Sequence, residues 1–445
     1  QETENNFINF YEINLLRKYG QERDSLHPQV TEGRMKSWGI NTYGAWSGLP
    51  EKPEHPYTFI IHPLKSGLGA IEKMIDPFSE KYRASLKSLL ESAQNRNNDP
   101  WNIGIFVNNE LDWGEKEYIP DQVLTLDNSV PARLAMENFL QNKYTGIENL
   151  NASWNSNFDS FTSVNGAGSS SFTTAFRADM DKYLDLFADT YYSVAAEEVK
   201  AAMPNHLYLG SRLHSATFNN SIVQNAASRH CDVVSVNIYN YTVKDFSISM
   251  EADKPLIIGE FHFGTGTHGV WGVGLKSAYD PYQQGQLFKQ YIKEAASNAN
   301  IVGAHWFTWP DQMVTGRKDG ENYRIGLVNV TDQPYPELIN AVKETSEMMY
   351  DRRSGRDTIN NSSNNLLPEQ EAINIFPNPS DGSFKVITQN SDRTRISVFT
   401  TYGKQVYSGM HTNNSDIKLP ETVKGPLFIT IEDREYVWKG KIIVL

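Results

Sequence analysis

Two glutamates in this chain each close a short apolar run. Glu110 ends Gly104-Ile-Phe-Val-Asn-Asn-Glu110, and Glu260 ends Pro255-Leu-Ile-Ile-Gly-Glu260. Runs of that kind read as buried strands, so each carboxyl stands at a strand's C-terminal end. Two carboxyls delivered to one face can divide the work of cleaving a glycosidic bond. One protonates the leaving oxygen, and the other attacks carbon or activates water. A lone Glu after a strand is ordinarily a salt-bridged rim residue. A pair, one preceded by Asn108-Asn109 and the other by Gly259, which permits close packing, favours the paired role.

Other residues fall at the same presumed rim. His62, Arg212, His214 and His262 each follow an apolar run, as do Trp46, Trp113, Trp306 and Trp309. The histidines and Arg212 could touch hydroxyls, and the indoles could stack on sugar rings, although Trp is also a routine core residue. The polar loop Asp311–Tyr323 adds Gln312 and Arg317 as substrate contacts, with Asp311 and Glu321 beside them. No HExxH or paired-His spacing occurs, so no metal site and no cofactor is expected.

The elements that must carry these residues alternate. Strands are expected at Gly39–Trp46, Tyr57–Ile61, Ile103–Val107, Leu207–Arg212, Val233–Tyr239, Leu256–Phe261 and Ile301–Phe307. Helical periodicity covers Phe7–Tyr19, Phe78–Leu90, Phe172–Met203, Gly285–Ala296 and Tyr335–Met349. Strand–helix alternation with buried strands means a parallel sheet, and strand C-termini that all carry candidate residues mean a (β/α)8-type TIM barrel. Seven strands are countable where eight are needed, and nothing before Phe7 reads as the missing first strand. A doubly wound sheet is the rival, but no glycine-rich phosphate turn is present: Gly264–Gly269 reads GTGTHG, without the spacing or the Lys. A polar stretch at 351–372 reads as a linker between a domain at 1–350 and a small all-β sandwich at 373–445. Strands are expected there at Ile373–Phe376, Ser383–Ile387, Ile396–Phe399, Lys404–Tyr407, Leu427–Glu432 and Lys441–Val444.

Composition narrows the function. The 445 residues carry 41 basic and 53 acidic side chains, a formal charge of −12. That balance and the lack of a basic stripe exclude nucleic acid as an expected partner. No run of 18 apolar residues predicts a transmembrane segment. Cys231 is the only cysteine, which rules out internal disulfides and CxxC chemistry. Gln1 opens no signal-like segment, as in a matured product or a fragment.

Several stretches together resemble the β-agarases, glycoside hydrolase family 50 of clan A. They are Phe10-Tyr-Glu-Ile-Asn-Leu-Leu-Arg-Lys-Tyr-Gly20, Trp38-Gly-Ile-Asn-Thr42, Phe106-Val-Asn-Asn-Glu110 with Leu-Asp-Trp-Gly114, Gly259-Glu-Phe-His-Phe-Gly264, His305-Trp306, and Thr315-Gly-Arg317 through Gly320-Glu-Asn-Tyr323. The resemblance implies a retaining hydrolase of agar-type galactan, with Glu110 as general acid/base and Glu260 as nucleophile. It further implies that Asn109 binds the hydroxyl beside the reacting carbon and that Tyr239 hydrogen-bonds the nucleophile. The family's first barrel strand and the β-rich domain ahead of it have no counterpart here. Another clan A glycosidase (a β-galactosidase, or a porphyran or carrageenan hydrolase) and a non-catalytic galactan-binding protein are the alternatives. Residues 373–445 resemble the C-terminal sorting domain of the type IX secretion system, on Ile375-Phe-Pro-Asn-Pro-Ser-Asp-Gly382, Tyr402-Gly-Lys404, Gly425 and Lys441-Ile-Ile-Val444. This implies the type IX machinery as a partner and a secreted or cell-surface location.

Overall fold

The computed structural model describes residues 9–50, 52–63, 68, 74–166, 172–270, 272–355, 374–387, 394–401, 403–412, 415–432 and 437–445. It divides into two units, Gln1–Asp357 and Thr358–Leu445.

The first unit opens with two helices, α1 (Phe10–Tyr19) and α2 (Arg23–Trp38). Asn9 caps α1 by accepting from the Glu12 backbone N–H, which satisfies one orphan donor of the first turn. Gly39 ends α2 with φ 73°. A Cβ there would lie 2.5 Å from Ser346 Cβ, so glycine is needed both for the turn and for the close approach.

Six parallel strands follow in two three-stranded sheets. Strands β1 (Tyr57–Ile61), β2 (Asn102–Val107) and β3 (Leu207–Tyr208) pair in that order, as do β4 (Val234–Asn237), β5 (Leu256–Phe261) and β6 (Ile301–Trp306). Two single parallel bridges extend the series, Tyr43 to Tyr57 and Leu213 to Val236. All six residues of β5 are buried, as expected of an apolar run covered on both faces.

The connections are mostly helical. Helix α3 (Glu80–Ser92) joins β1 to β2; α4 (Tyr118–Val123), α5 (Pro131–Tyr144), α6 (Ile147–Trp154) and the long α7 (Thr174–Ala202) lie between β2 and β3. Helix α8 (Ser221–His230) precedes β4, α9 (Pro281–Ser297) precedes β6, and α10 (Pro336–Arg353) closes the unit. Helix α7 buries Tyr183, Leu184, Phe187, Tyr191, Tyr192 and Ala195. Each large apolar side chain so covered contributes up to about 1.5–3 kcal/mol.

The unit is not a closed barrel among the described residues. Residues 39–46 supply one bridge rather than a strand, and β6 pairs only with β5. A cavity of about 850 Å³ lies beside β6, lined by Ala45, Ile257, Val302, Ala304, Met35 of α2 and Val342 of α10. The expected strand Leu207–Arg212 keeps only two ladder residues, because Gly210 (φ 76°) and Arg212 (φ 55°) leave extended geometry. The expected helix from Phe7 begins at Phe10, and residues 1–8 lie outside the described ones. Helix α10 runs to Arg353, past the expected linker start at 351; residues 356–373 lie outside the description.

The second unit is an antiparallel sandwich. Strands β7 (Asn374–Phe376), β8 (Ser383–Ile387), β9 (Thr394–Thr400), β10 (Gln405–His411), β11 (Ser415–Lys418), β12 (Gly425–Glu432) and β13 (Val437–Val444) form sheets ordered β11-β8-β7 and β10-β9-β12-β13. Alternate residues such as Phe384, Val386, Ile396, Val398, Leu427, Ile429, Ile431, Ile442 and Val444 build its core. Strand β11 has only Ile417 buried within it, too weak an alternation to read from sequence.

Candidate active site

Glu110 and Glu260 arrive from different sheets. Past β2 the chain turns sharply, with Asn108 at φ 65° and Glu110 at φ 50°. A left-handed Glu is uncommon, and such sparsely populated conformations gather at functional sites. The turn is held by backbone bonds, Asn108 N–H to Ile61 O (2.9 Å) and Glu110 N–H to Arg212 O (3.3 Å). The Asn108 side chain donates to Tyr191 Oη of α7 at 3.1 Å. Glu260 sits within β5, opposite Asn237 of β4, and is 6% exposed.

Three donors hold Glu260. Arg212 Nη2 (2.6 Å) and Trp46 Nε1 (2.7 Å) donate to Oε1, and Tyr239 Oη donates to Oε2 at 2.5 Å. Charge-assisted bonds to an ionised carboxylate are the strong ones. Arg212 is fully buried and also donates from Nη2 to Gly259 O (3.0 Å) and from Nε to Asn109 Oδ1 (2.6 Å). Burial, then the charge and hydrogen bond of Glu260, then the charge of Glu110, push the Tyr239 phenol well above its ordinary range. Both carboxylates therefore act on one phenol, which stays a donor.

Glu110 is held by a residue that the sequence reading gave no role. Asn237 Nδ2 donates to Glu110 Oε1 at 2.9 Å and to Asn109 Oδ1 at 3.2 Å. A continuous chain of hydrogen bonds thus runs Glu260–Arg212–Asn109–Asn237–Glu110. Its inner members pack around Gly259: a Cβ there would stand 2.6 Å from Asn237 Oδ1 and 2.8 Å from Arg212 Nη1.

The other expected contacts divide. Trp46 is 46% exposed and stacks on His62 at 5.6 Å, with the Arg212 guanidinium 5.6 Å from its ring. His62 stands at the same edge, and partial loss of its water, then the charge of Arg212, lower its pKa. His214 is half-buried and lines a separate groove with Asp112, Glu115 and Asp121. Arg212 is a partner of Glu260 rather than an open substrate contact.

The remaining expected contacts have other partners in the fold. Trp113 is wholly buried against Phe187, Tyr191 and Tyr192, so no sugar reaches it. His262 is buried with both nitrogens used, Nδ1 toward Phe307 O and Nε2 accepting from the Leu275 N–H; burial pushes its pKa down to about 4. Gln312 is 6% exposed and braces its own loop through Glu321 and the Tyr323 N–H. Arg317 pairs with Asp319 and Glu321 of the same loop. Trp306 donates to Ile325 O and packs edge-on to Phe261 and Phe288, while Trp309 stacks on Trp38. Both are partly buried and spend their rings on the fold. Among the described residues no group of three His, Cys, Asp or Glu side chains could hold a metal ion, and no helix is long and apolar enough to cross a membrane.

Comparison with known proteins completes the picture. β-Agarase B of Vibrio sp. (strain JT0107) is 32% identical over 369 residues, 77% of this chain and 38% of its own. β-Agarase A of the same strain is 32% identical over 377 residues, again 38% of its length. The structure of an exo-β-agarase matches with a TM-score of 0.71 at 32% identity, covering 78% of this chain and 50% of that one. The chain thus spans well under half the length of the curated relatives it matches. Residues 374–445 match the model of a secretion system C-terminal sorting domain, which implies export or attachment at the cell surface. Most of the chain is thus homologous to part of the β-agarases, which are glycoside hydrolases, and residues 374–445 match a secretion-system C-terminal sorting domain.

Proposed function

We propose that the first unit is a retaining glycoside hydrolase acting on β-linkages of agar-type galactan. The observation that supports this most directly is the pair of carboxyls joined by one hydrogen-bonded chain, with Glu260 fixed by three donors. A nucleophile must be aimed, and Arg212, Trp46 and Tyr239 hold both oxygens of Glu260 in place. Glu110 carries the proton to the leaving oxygen and then removes one from water, in a double displacement. Asn109 spends its Oδ1 on Arg212 and Asn237, so its amide N–H groups are left to take a sugar hydroxyl. Among the described residues, Trp46 and His62 form a stacked, solvent-reaching aromatic edge at Glu260.

In this reading the parallel series is a (β/α)8-type barrel, and the cavity beside β6 is the place of its first strand. The first domain then runs through the end of α10 and the sandwich lies within 373–445, with the second unit serving type IX export. Chromatography of products from agarose, porphyran and carrageenan identifies the galactan. Glu260→Gln should abolish turnover with the fold intact, and Glu110→Gln should spare aryl substrates at the first step. Binding of agarose oligosaccharides without release of reducing sugar would refute catalysis and leave a galactan-binding protein, the alternative that the open side of β6 favours. Removal of residues 358–445 should leave activity and stop export in the native host; undiminished secretion would refute the sorting role.

A further inference from the structure

Asn237 stands at the end of β4, buried to 2% exposure, and its position is set by the ladder. Its own N–H donates to Leu213 O at 2.7 Å, and the next N–H, of Ile238, donates to Glu260 O at 3.0 Å. Its amide orientation is fixed as well. Asn109 Oδ1 already accepts from Arg212 Nε, so it presents an acceptor to Asn237, and only the Nδ2 side of the amide can face it. The second N–H of that nitrogen then points at Glu110 Oε1. Among the described residues no other side chain holds the Glu110 carboxyl. Asn237 Oδ1 is buried without a partner, a cost that an apolar side chain would avoid. The residue thus does something at this position that stability does not ask for.

We propose that Asn237 is the positioning residue of Glu110: it fixes one carboxyl oxygen, Oε1, so that the other is presented to the glycosidic oxygen. This rests on the reading of Glu110 as the acid/base. The φ of +50° at Glu110 throws its side chain off a sharp turn rather than a rigid strand. A carboxyl carried there rotates freely unless one oxygen is tethered, and rotation away from the reacting oxygen loses most of a general acid's effect. The tether also ties Glu110 to the guanidinium that holds Glu260. The two carboxyls are thereby kept in a fixed relation while the charge moves between them.

The test uses the full chain with Asn237→Ala and the near-isosteric Asn237→Asp, an agarose oligosaccharide, and the dinitrophenyl glycoside of a galactan disaccharide. Glu110→Gln is measured beside them. With Asn237→Ala, kcat/KM on the oligosaccharide should fall about 10²-fold through kcat, with KM within about threefold. The aryl substrate, whose leaving group needs no proton, should lose less than about tenfold. The alkaline limb of the pH profile should move upward, since a donor to the ionised carboxylate is gone, and further upward with Asn237→Asp, which adds a like charge. Equal losses on both substrates with an unmoved limb, while Glu110→Gln still spares the aryl substrate, would overturn the positioning role alone. Equal losses for Glu110→Gln itself would overturn the acid assignment and the proposal together. Asn237→Asp keeps the shape of the side chain, so the pH readout survives if the alanine variant fails to fold.

Discussion

Gly259→Ala adds a single methyl, yet its expected effect is large. The new Cβ would lie 2.6 Å from Asn237 Oδ1, 2.8 Å from Arg212 Nη1 and 2.9 Å from Arg212 Cζ. Ordinary contact begins near 3.4 Å, so these groups must retreat by about 0.6–0.8 Å. Neither is the loose end of a flexible chain. Arg212 is bound to Glu260, Gly259 O and Asn109, and Asn237 is bound to Asn109 and Glu110. Overpacking of this kind costs about 1–3 kcal/mol of stability. The displacement also moves both carboxyls' partners, and an error approaching 1 Å at reacting groups costs about 10² in rate. Gly303→Ala on the neighbouring strand β6 is the control. Its Cβ would meet only Ile257 Cγ1 at 3.4 Å and Cδ1 at 3.5 Å, ordinary van der Waals contact. Thermal melts and kcat on agarose oligosaccharides read both variants. A Gly259→Ala enzyme with native kcat would refute the claim that Arg212 and Asn237 are fixed. Equal damage from Gly303→Ala would show that crowding among inner strands, not this network, is the cause.

Further outcomes follow from other buried groups. Arg212→Lys should cut kcat/KM at least about 10²-fold, because one ammonium cannot reach Glu260, Gly259 O and Asn109 together; a near-native rate would mean that Arg212 only fills space. His262 binds its proton at about pH 4 in the fold against an ordinary 6.5, so the unfolded chain takes up the proton first and stability falls as pH drops from about 6.5 to 4. Urea melts at pH 7 and 4.5 should show about 2–3 kcal/mol of that loss disappearing in His262→Gln. Asp332, at φ 57° with its side chain buried, is opposed by burial yet held below the usual carboxylate range by Arg34, Lys18 and Tyr19, which fastens α1 and α2 to the loop before α10. Asp332→Asn keeps the backbone turn and loses the charge; the expected cost is at the low end of about 3–5 kcal/mol, since Lys18 reaches solvent, and an unchanged melting temperature would refute it.

What could be read without coordinates follows from what leaves a pattern in sequence. Tyr57–Ile61 and Leu256–Phe261 have the limits expected of them, because a strand buried on both faces must be a continuous apolar run. Leu207–Arg212 contracts to two ladder residues because periodicity reports burial, not φ, and Arg212 has no side-chain signal for a left-handed backbone. Helix α2 went unread because only Met35 and Trp38 are buried in it, so it shows no apolar stripe. Trp113 failed for a related reason. Position after a strand gives height on the fold, but the turns at Asn108 and Glu110 decide direction, and they send the indole into α7. Asn237 left no mark at all, since an Asn at a strand's end is ordinary and its partner Glu110 lies 127 positions away.

The network gives a reason for the unequal treatment of the two carboxyls. Among the described residues one cation, Arg212, touches them, and it is spent on Glu260. Tyr239 and Trp46 add two neutral donors to the same group. Glu110 receives a single neutral donor, from Asn237. Three donors leave Glu260 little freedom to rotate, which suits the nucleophile that the proposal makes of it. Glu110, with one neutral partner on a turn past β2, is the group that the proposal casts as acid/base. In the double displacement proposed above, esterification of Glu260 by sugar would remove its charge and leave Arg212 without that counterion. The nearest remaining carboxyl along the bonded chain is Glu110, reached through Asn109 and Asn237. On the proposed mechanism, one chain of hydrogen bonds thus connects the two groups that would act in its two halves.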